Sequence, residues 1–222
     1  MGFFSRVVRQ EIPSDFFPSV REGIDGAFAS AHRLAVADGR VLPEQYAYAR
    51  GTDRHYAVQK RVVDAGEAVG GEKLILRAGS SHYPMPLVRL GRMILATCIT
   101  NSLDDLRRSN ARAQLAKLNE ELEPQQPSFW EEDEKRPLQG FRFGMLLIAK
   151  PHRDEDQSLP AGIYFGVPTS SLKAWHFYRS LDEVTALYEE ADWAETPPVP
   201  ERRIPQLRPR RKSEGSADEG TG

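Results

Sequence analysis

Apolar residues recur along this chain with two different periods, and the change from one to the other organises the reading. From Ser19 onward Val20, Ile24, Ala27, Phe28, Ala31, Leu34 and Ala35 fall three and four residues apart, one face of a 3.6-residue helix. Ser19 is read as its N-cap and Gly39 as its stop. A second helix is expected over residues 44–69, with the seam Tyr48, Gly51, His55, Val58, Val62, Ala65 and Val69. Gly51 weakens it by roughly 1 kcal/mol relative to Ala. Arg50, Arg54 and Arg61 are assigned to the opposite, solvated face. His55 falls on the seam and is read as a core histidine, whereas His32 lies at the edge of the first stripe.

After residue 71 the pattern turns strand-like. KLILRA, the loop GSSHYPMP and LVRLGRMILATCIT predict a strand pair, with Gly91 as a bulge. Ser102 then caps a third helix running to about residue 121, with Asp104 and Asp105 in its first turn. An acidic, Pro-bounded linker follows, containing Phe129 and Trp130. Residues 141–178 hold FRFGMLLIAKP, GIYFGVP and KAWHFY, three aromatic-rich runs that read as antiparallel strands of the central sheet. Ser180 and Glu183 form the capping box of a last helix.

Helical runs kept apart from strand runs in this way define an α+β fold. The expectation is a mainly antiparallel sheet of about five strands, with N-terminal helices and two further helices packed on it. Three segments are expected: an N-terminal arm (1–18), one α+β domain (19–195) and a disordered Pro/Arg-rich tail (196–222). The arm carries Val7, Val8, Ile12, Phe16 and Phe17, and is expected to dock on the domain, because aromatic clusters are seldom left in solvent.

The formal charge of −2 conceals a split: residues 201–222 carry six basic and four acidic side chains, so the remainder is acidic by 4. An acidic body argues against indiscriminate nucleic-acid binding. Cys98 is the only cysteine, which excludes an internal disulfide and a cysteine metal site, and points to a reducing, cytoplasmic compartment. No apolar run reaches the ~20 residues of a membrane span, and the first residues lack a signal peptide's apolar stretch.

Phosphate-loop, dinucleotide-binding, zinc-protease and nucleophile-elbow motifs are absent, and His32, His55, His82, His152 and His176 are not at ligand spacing, so neither cofactor nor metal is expected. Three groups of residues carry candidate chemistry. Ser80, Ser81, His82 and Tyr83 bring hydroxyls, an imidazole and a phenol into one loop, the catalytic candidates being Ser81, His82 and Tyr83. Arg77, Arg89, Arg92, Arg107, Arg108 and Arg112 would form an anion-binding surface if the third helix packs on the strand pair; otherwise they pair with surface carboxylates. Glu131–Glu134 and Asp154–Asp156 are read as solvating their loops. The leading functional expectation is a non-catalytic cytoplasmic binding protein acting through protein partners. The alternatives are a nucleic-acid-binding regulator that uses the arginines and the basic tail, and a hydrolase-type enzyme centred on the His82 loop.

Overall fold

The structure is a computed structural model and describes residues 2–37, 42–77, 84–101, 109–123 and 140–189. Three helices come first. Helix α1 (Phe3–Glu11) buries Val7 and Val8, and Ile12, Phe16 and Phe17 behind it are fully enclosed, so this apolar cluster is part of the core. Helix α2 (Phe16–Ala37) starts ahead of Ser19, because the Asp15 carbonyl accepts both the N–H and the hydroxyl of Ser19. Pro18 fits in that first turn, where it breaks no helical bond. After the 3-10 turn Pro43–Gln45, helix α3 (Tyr46–Ala68) runs back antiparallel to α2, with Gly23 against Arg61 and Phe28 against Arg54.

Six strands follow: β1 (Glu72–Leu76), β2 (Met85–Leu90), β3 (Met93–Thr100), β4 (Arg142–Ala149), β5 (Gly162–Pro168) and β6 (Trp175–Ser180). They lie side by side in chain order. Every pairing is antiparallel except β3 with β4, which run parallel. The fold is therefore α+β with a mostly antiparallel sheet. It has six strands rather than about five because Gly91 is not a bulge. With φ at +52° it occupies the first central position of a two-residue hairpin between Leu90 and Met93, where a positive φ lets glycine match the strand twist.

The sheet is buried on both faces. On one, Val88, Leu95, Leu146, Ile148, Phe165 and Phe177 pack against α1–α3 and against Leu181 and Val184 of helix α5 (Leu181–Ala186). Helix α5 has the expected capping box, with Ser180 N–H donating to Glu183 Oε2 at 2.7 Å. On the other face Leu87, Ala96, Cys98, Phe143, Met145 and Leu147 meet Leu115 and Ala116 of helix α4 (Asn110–Ala116). Helix α4 is capped by Ser109, whose hydroxyl accepts the Arg112 N–H, and it runs into the 3-10 turn Lys117–Leu122. Asn119 of that turn is fully buried. It donates to the carbonyls of Phe143 (2.9 Å) and Pro168 (2.7 Å) and accepts the Phe143 N–H (2.8 Å), so a side chain replaces the missing strand pairing at the start of β4. No helix among the described residues is long and apolar enough to cross a membrane.

Candidate functional site

The two ends of the parallel pair β3–β4 are both rich in arginine, and they are finished differently. At the amino end, the carboxylate of Glu11 is nearly buried and receives the Arg92 backbone N–H at 2.8 Å and the Arg92 Nε–H at 2.7 Å. The buried Arg142 guanidinium lies 3.4 Å from the same carboxylate. Burial presses the Glu11 carboxyl upward, but the hydrogen bonds and charge of Arg92 and the charge of Arg142 outweigh it, and the group titrates below its usual range. Glycine is also sterically required at position 91, because a Cβ there would lie 2.5 Å from Glu11 Oε2. Charge at this end is matched.

At the carboxyl end it is not. Residues after β3 lead to α4, on the face covered by Leu115 and Ala116. Residues after β4 lead to the opposite face, where the Gln157 carbonyl accepts a hydrogen bond from Arg54 of α3. The carboxyl ends of β3 and β4 therefore have α4 to one side and α3, with the connection after β4, to the other. Helix α3 is longer than the strand beneath it and reaches past this end. Gly66 meets Val88, which pairs with Leu95. Counting back eleven residues to His55 covers about 16 Å at ~1.5 Å per helical residue, and the five residues from Leu95 to Thr100 cover a similar length at ~3.3 Å each. His55 is thus level with the strand end, and Tyr48 projects about 10 Å past it.

That overhang corrects the expected seam. Its phase is right, but Tyr48 is 81% exposed because no sheet remains beneath it. Leu34, near the facing end of α2, is half exposed as well. Arg54, assigned from the sequence to the solvated face, is only 4% exposed. It stands one turn before Val58 on the side facing α2, and its guanidinium carbon lies 4.6 Å from the Phe28 ring centroid.

Buried nitrogens of cationic side chains stand on this part of α2 and α3. The Nε atoms of Arg54 and Arg50 are buried and have no hydrogen-bond partner, and the Nδ1 of His32 is in the same condition. Burial first, and the Arg50 charge second, lower the Arg54 guanidinium to about 10. Burial first, and the charges of Arg112 and Lys150 after it, lower the His55 imidazole. Among the described residues no carboxylate pairs with Arg50, Arg54 or Lys150. Asp156 is close enough to feel His32, but its Oδ1 accepts the Ser158 N–H at 2.7 Å, which with the Ser158 hydroxyl accounts for most of its lowered pKa.

Of the arginines named from the sequence that lie among the described residues, Arg112 is the one whose charge is felt by His55. Arg89 pairs with Glu72 across β1–β2, and its guanidinium lies 5.9 Å from the Phe141 ring centroid. Arg92 is held by Glu11, and Arg77 is exposed just after β1. Arg107, Arg108, Ser81, His82 and Tyr83 lie outside the described residues, as do Ser102, Phe129, Trp130 and the tail. Arg50, Arg54 and Lys150 are not among the residues the sequence singles out for binding. For Arg54 the signal was available: it precedes Val58 by four and Val62 by eight, the spacing of a buried stripe. Among the described residues no three His, Cys, Asp or Glu side chains converge as a metal site. No family model, no curated protein and no solved structure matches the chain.

Proposed function

We propose that this chain is a non-catalytic binding protein whose ligand is an anion, held at the carboxyl ends of β3 and β4. The observation that carries this reading is Arg54, a buried guanidinium with a second arginine one turn away and no carboxylate beside it. A buried charge without a counter-ion costs several kcal/mol, and like charges four residues apart on a helix repel. An anion bound there offsets both. Side chains suited to hold charge rather than to break bonds support a receptor-type reading of this site. A reducing, cytoplasmic setting fits the single buried thiol Cys98.

The test is thermal unfolding of the full chain with added pyrophosphate, against chloride at matched ionic strength. Saturation at a hundred times Kd adds about 2.7 kcal/mol and raises Tm by several degrees. Equal Tm values in the two salts would remove the reading.

A protein partner is a second reading, supported by a different surface. A groove of about 400 Å³ lies between α3 and the exposed edge strand β1, lined by Tyr56, Val63, Ile75, Pro84 and Pro86. An open strand edge beside apolar side chains suits an added strand from another chain. Loss of a captured partner on Ile75→Lys, with folding intact, is the expected result, and undiminished capture argues against it.

A further inference from the structure

Resting on the edge-strand reading above, we propose that the strand added to β1 belongs to a second copy of this chain, paired antiparallel about a two-fold axis at Leu74. The backbone leaves this edge open for it. Arg142 N–H donates to the Arg92 carbonyl at 2.8 Å and Lys150 N–H to the Thr100 carbonyl at 2.9 Å. Even-numbered residues of β3 thus turn their backbone groups toward β4, and odd-numbered ones toward β2. Met93 and Leu95 therefore bond Leu90 and Val88, which leaves Arg89, Leu87 and Met85 to bond Glu72, Leu74 and Leu76. Alternation then turns the N–H and C=O of Lys73 and Ile75 outward, and among the described residues no strand lies on that side. Pro86, opposite Ile75, does not disturb the pairing because its missing N–H would point away from β1. The other edge strand is guarded: the β5–β6 register slips at Val167/Pro168, and Phe4 of α1 stacks on His176.

Charge selects the register. With Lys73 opposite its own counterpart, two ammonium groups face each other, and with Ile75 opposite its counterpart, Lys73 faces Arg77. Like charges directly opposite are destabilising. With Leu74 on the axis, Lys73 stands beside Ile75 and Glu72 beside Leu76, and Lys73 exchanges both backbone bonds with Ile75 of the other copy. The same axis, perpendicular to the sheet, suits α3. Gly66 rests on Val88, the partner of Lys73. Leu74, ~3.3 Å further along β1, is then level with about residue 64 of the helix at ~1.5 Å per residue. Rotation about the axis brings Lys60 of each copy level with Glu67 of the other to within about one residue. Lys60, Glu67, Lys73 and Ile75 line one groove, so these charges face the axis. The two α3 helices, each over its own β2, stand about 14 Å apart, three strand spacings. That is wider than direct helix packing, and the exposed Tyr56, Lys60 and Glu67 side chains fill it. Lys60 also holds Asp64 of its own helix at 2.7 Å, so the carboxylates nearest the axis are paired.

Analytical ultracentrifugation of the full chain over a range of concentrations tests this. The expected result is a reversible dimer that is lost in Ile75→Lys, a change at a half-exposed side chain that leaves folding intact. Lys60→Glu and Glu67→Lys should each weaken dimerisation about tenfold, and the two together should restore it. Leu74→Cys should form an intermolecular disulfide under oxidising conditions, because opposed residues of a non-hydrogen-bonded pair stand about 4.5 Å apart at Cα, within disulfide reach. Glu72→Cys should not, and the native Cys98 is buried. A monomer at every concentration overturns the second copy, while the edge-strand reading survives if Ile75→Lys still abolishes capture of a different protein. A dimer lost in Ile75→Lys, with neither the Leu74→Cys cross-link nor the charge rescue, keeps the edge as an interface and overturns the two-fold register. A dimer indifferent to Ile75→Lys uses another face and overturns the inference.

Discussion

Replacing Arg54 by Met separates what the residue does for the fold from what it does for a ligand. The thioether side chain retains an unbranched apolar stem against Phe28 and removes the buried charge. Lowering of the guanidinium to about 10 corresponds to roughly 3 kcal/mol, the degree to which the folded chain resists the charge. Opposing this, the charged hydrogen bond to the Gln157 carbonyl is worth about 1.5–3 kcal/mol. The two nearly cancel, and Arg54→Met should change stability by less than about 1.5 kcal/mol. The penalty is present in full below pH about 10. It is relieved as pH rises above that value, where the folded chain gives up its proton before the unfolded one does. Equilibrium urea denaturation in an anion-poor buffer, with unchanged slope, reads this directly. A loss of 3 kcal/mol or more would mean that Arg54 is a fully satisfied structural residue, and the argument for a site would fall with it.

Other predictions follow from the rest of the molecule. Glu11→Gln removes the carboxylate that Arg92 and the buried Arg142 share and should cost on the order of 3 kcal/mol near neutrality. Because the folded carboxyl titrates below its ordinary value of 4.5, this wild-type advantage is complete above that pH and is lost as pH falls through the folded value; a gap between the two melting curves that persists in strong acid would contradict the assignment. Asn119→Ala strands the N–H and carbonyl of Phe143 and should destabilise by about 2–4 kcal/mol in denaturant, with a loss below 1 kcal/mol counting against the bridging role. Gly91→Ala forces a Cβ against Glu11 at positive φ and should cost about 1–3 kcal/mol, whereas a neutral result would show that the hairpin relaxes freely.

The α+β class was legible because the apolar period shifts from about 3.6 to strand-like runs near residue 71 and the helical and strand runs do not alternate. The hairpin inside residues 85–100 was not. Val88, Leu90, Met93 and Leu95 face one layer while Leu87, Ala96 and Cys98 face the other, and two-sided burial yields an almost continuous apolar run with only Gly91–Arg92 to mark a turn. Nor did the sequence announce the parallel pairing of β3 with β4, since the described crossover helix has only seven residues. Partner choice was beyond reach for a different reason. Arg92 takes Glu11 from 81 positions away, and no local pattern separates an arginine that will meet a carboxylate from one that will not. Arg54 was legible in its spacing but was set aside for its charge.

The most direct test of the anion site is an NMR titration of the full chain with pyrophosphate, following arginine Nε–H and backbone resonances. The account predicts saturable shifts of the Arg50 and Arg54 side chains, with accompanying changes at His55 and Lys150, while Arg92 and Arg142 at the far end of the same strands stay still. Shifts confined to Arg77, Arg89 or the tail, or no saturable shift at all, would contradict it.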